Sequence, residues 1–287
     1  MKIAKKRIAF QYSGLLRTLK QCLPQVKKVF GDYEVDFFVS IWSAHDTKMK
    51  HRPSHSPYED VLNPDLISKK IDKDLVNNFF QGLNLKSLDI EPFDKSIDIM
   101  KSFNLPLCPK ISARDKHGID ENGNFCGTAQ HQFISSYYKN ERCNNLRKIY
   151  QKLNDVKYDW YMKFRPDLII KKIPDLNSIN EPDIAFINTY VWEDPNLIAL
   201  QNPDNSMNEN IFLTNSEKYI NDFCGLYSNI DRFWNQSFYG EQLLGNFLIN
   251  SEVIKNIQRF DFKLSILRNH GHCQIAGKTR TRGIPGS

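Results

Sequence analysis

No run in the 287-residue chain approaches the roughly 18 consecutive apolar residues of a membrane span. The apolar stretch after Arg7 stops at Gln11, too short for the core of a secretory leader, so none is expected. Six cysteines (Cys22, Cys108, Cys126, Cys143, Cys224, Cys273) form no Cys-x-x-Cys pair. That sets aside both a zinc site and a disulfide framework, and it fits a reducing, cytoplasmic setting. Neither Gly-x-Gly-x-x-Gly nor Gly-x-x-x-x-Gly-Lys-Ser/Thr occurs, so the dinucleotide and P-loop fingerprints are absent. Repeats and low-complexity blocks are missing too.

A basic body is also lacking. The net charge is +6, but Lys2, Lys5, Lys6 and Arg7 open the chain and Lys278, Arg280 and Arg282 close it, with no acid among either group. Without those seven, residues 8–277 stand at about −1. A nucleic-acid interface is therefore not expected. The basic start reads either as a solvated lead-in to the first strand or as a weak contact with anionic headgroups, worth about 1 kcal/mol per charge. At most this predicts a peripheral contact at the inner face of a membrane.

What is present is ordinary for a folded α/β chain, with 40% hydrophobic and 25% charged residues. A domain of this length hides about three quarters of its unfolded surface. Arg7 to Tyr12 is β-rich and runs into the Ser13-Gly14 turn. Leu19, Cys22, Leu23, Val26, Val29 and Phe30 then follow helical spacing, with Pro24 as a candidate kink. Val35 to Trp42 is a nearly continuous apolar strand. Strand, helix, strand in so short a span predicts a βαβ unit and a parallel sheet covered on both faces. Further on, the pattern predicts a loop over 43–60, helices over 65–81 and 128–153 (capped by Thr128), and a strand over 85–93. Residues 101–127 read as irregular. A strand over 158–170 should break at Pro166, which cannot donate to a central ladder. Strands over 184–187, 210–213 and 260–267 and helices over 216–226 and 240–249 complete the pattern. We expect one domain over 1–268, with a nucleotide-binding half to about 170 and an acceptor half after it. Residues 269–287 read as an appended, flexible tail.

Ligands of open α/β sheets bind at the carboxyl ends of the strands. Three places qualify: Ser13-Gly-Leu-Leu-Arg-Thr18, Ser40-Ile-Trp-Ser43 and Arg165-Pro-Asp167. The first joins a permissive glycine, an Arg fork suited to phosphate oxygens, and a helix N-terminus. It also fits an ordinary βα turn with a surface Arg. At the third place Asp167 follows a buried aromatic strand, where a carboxylate suits a hard cation bridging a diphosphate. Arg165 could neutralise the same diphosphate. Alternatively Asp167 caps a turn or pairs with Arg165.

The opening Ile8-Ala-Phe-Gln-Tyr-Ser-Gly-Leu-Leu-Arg-Thr18 and the strand Val35-Asp-Phe-Phe-Val-Ser-Ile-Trp-Ser43 resemble the start of bacterial and viral polysaccharide glycosyltransferases. Tyr158-Asp-Trp160 with Phe164-Arg-Pro-Asp-Leu168, then Gly240-Glu-Gln-Leu-Leu244 and the closing strand with Arg268, match that group in order and spacing. The resemblance implies an α/β, GT-A-like (Rossmann-like) fold with a mostly parallel central sheet and helices on both faces. It also implies a nucleotide-sugar donor and a carbohydrate or glycolipid acceptor. By it, Ser13, Gly14, Arg17, Thr18, Ser43 and Arg165 line the donor nucleotide and diphosphate pocket, and Asp167 faces the diphosphate. Enzymes of this fold place an Asp-x-Asp there to hold Mn2+ or Mg2+. Here Arg165 takes the first position, so dependence on the cation stays open.

An inverting transfer needs a carboxylate to take the acceptor proton. Glu241, following Gly240 at a helix start, is the first candidate, and Asp194 the second. His270 and His272 are candidate further metal ligands. A non-catalytic carbohydrate- or nucleotide-binding module on the same scaffold is the alternative. A phospho- or nucleotidyl-transferase should carry denser acidic pairs.

Overall fold

A computed structural model describes residues 5–43, 71–102, 129–188, 209–233, 240–249, 251–267 and 273–275. Its centre is a seven-stranded sheet built from β1 (Arg7–Gly14), β2 (Glu34–Trp42), β3 (Asn84–Glu91), β4 (Trp160–Phe164), β6 (Ala185–Asn188), β7 (Ile211–Thr214) and β8 (Ile257–Phe260). The strand order is β3-β2-β1-β4-β7-β6-β8. β1 pairs in parallel with β2 and β4, β2 with β3, and β6 with β8. Only β7 runs against its neighbours, β4 and β6. A second, three-stranded sheet joins β5 (Leu168–Ile169), β9 (Ser265–Leu267) and β10 (Cys273–Ile275).

Alternation along β1 divides the core in two. Ile8, Phe10 and Tyr12 point to one face, where α1 (Leu19–Val29) and α2 (Lys73–Phe79) bring Leu19, Leu23, Val26 and Val76. Ala9, Gln11 and Ser13 point to the other. There α4 (Ala129–Asn154), α5 (Glu217–Cys224) and α7 (Gly240–Leu248) contribute Ile134, Tyr137, Tyr219, Phe223 and Leu244. Each fully buried Leu, Ile or Phe here is worth about 1.5–3 kcal/mol of transfer free energy. The α/β class, a mostly parallel sheet with helices on both faces, is thus what the chain adopts. Among the described residues no helix is long and apolar enough to cross a membrane.

Several elements differ from expectation. Asp94–Ser102 forms a helix, α3, which the sequence pattern did not mark, and α6 (Ile230–Phe233) is a further short turn of helix. The single strand expected over 260–267 is two strands in two sheets. Lys263 takes a left-handed φ of 52°, and its N–H donates to Asp261 Oδ1 at 3.0 Å, which turns the chain between β8 and β9. Pro24 sits inside α1 without ending it. Residues 44–60 of the loop expected over 43–60, residues 103–127 and the Thr128 cap lie outside the described residues. Of the basic start, Lys5 donates to the Gly31 carbonyl, Lys6 to that of Leu176, and Arg7 to Asp36, so all three are tied to the fold.

Candidate functional site

The parallel strands β1, β2, β3 and β4 end at one rim. Register fixes this: Ser13 lies beside Ser40, and Tyr12 beside Phe164. Because β7 is antiparallel, its beginning reaches the same rim, with Ile211 opposite Phe164. Glu209 and Asn210 therefore stand next to Arg165.

The β1–α1 turn contains two left-handed residues, Gly14 at φ 106° and Arg17 at φ 44°. A Cβ on Gly14 would meet nothing within 4 Å, so backbone conformation and not crowding requires glycine there. For arginine a positive φ costs energy that the surroundings must offset, and such residues gather at functional sites. Arg17 is turned toward β4, and its Nη1 donates to Asp167 Oδ2 at 2.6 Å.

Asp167 reaches that point because Pro166 ends β4 at Phe164, and the chain turns before entering β5. Its side chain is fully buried. Arg165 grips it from the other side, Nε to Oδ1 at 2.9 Å and Nη2 to Oδ2 at 2.8 Å, while Nη1 donates to Asn210 Oδ1 at 2.8 Å. Arg17 thus meets a carboxylate that lies 150 residues away in sequence. The side chains of Arg17 and Arg165 are 26% and 22% exposed. Both side chains stand at the rim on either side of the Asp167 carboxylate.

This arrangement does not fit Asp167 as the ligand of Mn2+ or Mg2+. Both of its oxygens already accept guanidinium N–H groups, a fork from Arg165 and a single bond from Arg17, and a cation beside them would face two like charges. Among the described residues no cluster of three His, Cys, Asp or Glu could hold a metal ion. His270 and His272 lie outside the described residues, as does Asp194. Glu241 is the second residue of α7, as its predicted helix-start position required, with its side chain outside the described set.

The remaining predicted donor residues sit close by in different roles. Ser13, nearly buried, donates its hydroxyl to Asn140 of α4. Thr18 precedes α1 without a side-chain cap bond and packs its hydroxyl against Cys22 Sγ at 3.8 Å. Ser43 ties two strand ends together: its N–H donates to the Glu91 carbonyl at 2.8 Å, and its Oγ accepts from Phe93 N at 3.2 Å.

Sequence reasoning missed two charged groups at this rim. Lys139 of α4 is fully buried, 4.2 Å above the Trp42 ring, and donates to Glu91 Oε2 at 2.6 Å and Asp89 Oδ2 at 3.2 Å. Burial alone would raise the Glu91 carboxyl, but hydrogen bonds from Lys139 and Lys95 outweigh it and hold the pKa at about 2. Burial dominates for Lys139 itself and lowers its pKa despite the two carboxylates. The strand-end rule applied to β3 would have found Asp89 and Glu91; nothing in the spacing of α4 marks Lys139. The second group is Lys163, buried within β4, whose ammonium donates to the Glu209 carbonyl and whose pKa burial also lowers.

No family model matches the sequence, and neither does any curated protein. Among solved structures the chain is similar to the galactosyltransferase LgtC in complex with donor and acceptor sugar analogues. That match has 12% identity and a TM-score of 0.42, over 88% of this chain and 72% of that one. It is also similar to the glycosyltransferase GlyE of Streptococcus pneumoniae TIGR4, at 10% identity and a TM-score of 0.40, over 90% and 45% of the two chains. A third is the bifunctional glycosyltransferase WbbM, at 8% identity and 0.38, over 91% and 39%. At these values the likenesses bear on neither the fold nor the activity of this chain.

Proposed function

We propose that the chain is a nucleotide-sugar-dependent glycosyltransferase. Its donor diphosphate lies on the rim of β1 and β4, and its acceptor is a carbohydrate or glycolipid of a surface polysaccharide. The setting is cytoplasmic, with at most a peripheral contact at the inner face of the membrane. One observation carries the reading: Arg17 of the first β-to-α turn and Arg165 of the Arg-Pro-Asp corner converge on Asp167 at the carboxyl rim. As the bond from the anomeric carbon to the diphosphate oxygen breaks, negative charge gathers on the leaving nucleoside diphosphate. Guanidiniums already fixed at the rim stabilise that charge with little reorganisation. The anomeric carbon gains positive charge, and the acceptor hydroxyl supplies the new bond. If the transfer inverts, Glu241 or Asp194 takes the proton of that hydroxyl.

The test is release of nucleoside diphosphate from a panel of nucleotide sugars, with and without saccharide acceptors. Turnover of one donor, at least tenfold slower in Arg17→Gln, is expected. A panel giving neither turnover nor a thermal shift with any nucleoside diphosphate would refute the reading. The second reading, a non-catalytic binding module, draws support from Arg165 standing where an Asp-x-Asp would begin. It predicts thermal shifts with no turnover across the panel.

A further inference from the structure

Helix α4 places polar groups inside and apolar groups outside. Toward the sheet it buries Lys139, Asn140, Asn144 and Arg147. On its outer side Ile149 is 56% and Leu153 78% exposed, and Leu146 is half-buried. At about 3.6 residues per turn these three form one stripe. Single exposed apolar side chains are ordinary on a protein surface, but a stripe of them is not. The charges around it have one sign. From Arg142 to Asn154 the sequence has no acid and four bases, Arg142, Arg147, Lys148 and Lys152. Arg147 turns inward to Glu217, and Arg142 lies 3.5 Å from Asp89. Lys148 and Lys152 are exposed, border the stripe, and make no ion pair among the described residues. Across the stripe Lys86 stands 5.9 Å over the Tyr150 ring, and exposed Lys157 follows the helix end, after Asp155. The acids that meet α4 are engaged: Asp89 and Glu91 by Lys139, Glu217 by Arg147, and Glu141 by Ser228.

We propose that the C-terminal half of α4 is a contact for an anionic lipid surface. Leu146, Ile149 and Leu153 enter the boundary between headgroups and acyl chains, and Lys148 and Lys152 meet the headgroup phosphates. A second copy of the chain is the poorer occupant, because pairing two such stripes would set lysine against lysine. On the same helix Asn140 holds Ser13 at the rim, nine residues before Ile149. The contact therefore stands roughly 14 Å along the axis from the rim and leaves it clear. The inference does not depend on what the rim binds.

The experiment floats the full chain with vesicles of mixed phosphatidylglycerol and phosphatidylcholine, and with vesicles of phosphatidylcholine alone. The mixed vesicles are expected to bind it more tightly, and added salt should weaken that binding as it screens the headgroups. Lys148→Gln together with Lys152→Gln should weaken it about twentyfold, at about fivefold per charge, and flatten the salt dependence. Lys148→Arg together with Lys152→Arg keeps both charges and should bind like the parent. Ile149→Asn together with Leu153→Asn should weaken binding about tenfold or more and leave the salt dependence in place. All four side chains are exposed, so every variant should keep the parent's circular dichroism and urea midpoint. No binding to the mixed vesicles overturns the inference, and so does binding that survives both the Gln and the Asn pairs. A parent dimer that Leu153→Asn dissociates would overturn it in favour of a second copy. No nucleotide sugar enters the assay, so none of these outcomes touches the donor reading of the rim.

Discussion

Replacing Glu91 by Gln isolates the energetics of the Lys139 cluster. The Glu91 carboxyl is held at about 2 against an ordinary 4.5, a displacement of roughly 2.5 pKa units, or about 3 kcal/mol favouring the charged form in the folded chain. Lys139 pulls the other way, because its burial lowers its own pKa, so the pair as a whole contributes less than the carboxylate alone suggests. In Glu91→Gln the buried ammonium keeps Asp89 at 3.2 Å, and Arg142 lies 3.5 Å from the same carboxylate. The expected loss is about 2–3 kcal/mol at neutral pH, or roughly 5–10 °C in melting temperature. Its pH dependence has a definite sign. A carboxyl with a depressed folded pKa contributes fully above its unfolded value, near 4.5, and loses that contribution as pH falls toward 2. The gap between parent and variant should therefore be widest at pH 7 and shrink steadily between about pH 4.5 and 3. Urea unfolding of both proteins at pH 7, 4.5 and 3.5 measures it. An equal gap at all three values, or none at pH 7, would show that the charge of Glu91 is not what stabilises the cluster.

Asp167→Asn should lower stability by about 2–3 kcal/mol, below the usual cost of orphaning a buried ion partner because both arginines remain a quarter exposed; a urea midpoint equal to the parent's would contradict the burial argument. Gly14→Ala should cost about 1–2 kcal/mol through backbone strain at φ 106° alone, since no neighbour is within reach of the new methyl; an unchanged melting temperature would mean the turn relaxes freely. Cys22, Cys143 and Cys224 are buried, and burial pushes the Cys224 thiol up to about 12 and that of Cys143 higher still. Peptide mapping after alkylation at pH 8 should find all three unlabelled in the native chain and labelled in urea; rapid native labelling of any of them would refute its placement.

The elements of this fold are legible where side-chain periodicity is strong. β1, β2 and α1 fall within a residue or two of their expected ends, because each must bury a face and its period tells which; α4 was legible by its length, for its buried face carries Lys139, Asn140, Asn144 and Arg147. Pro166 marked the end of β4 from covalent structure alone. Less was legible where a short segment depends on partners far away. Helix α3 is only nine residues long, and the antiparallel sense of β7 has no local signature. The division of 260–267 between two sheets hinges on one left-handed residue, Lys263.

For the site, the sequence by itself determined which residue types stand at the strand ends: a glycine and an arginine after β1, a serine after β2, an Arg-Pro-Asp after β4. Strand ends are local, and the chemistry of a side chain needs no fold to be known. Only the tertiary structure decided what those groups do to one another. It brought Arg17 onto Asp167 across 150 residues, closed the carboxylate between two guanidiniums, and turned Ser43 into a tie between β2 and β3. Whether a carboxylate faces a cation or an arginine depends on contacts distant in the chain, and those exist only once the sheet has set its register.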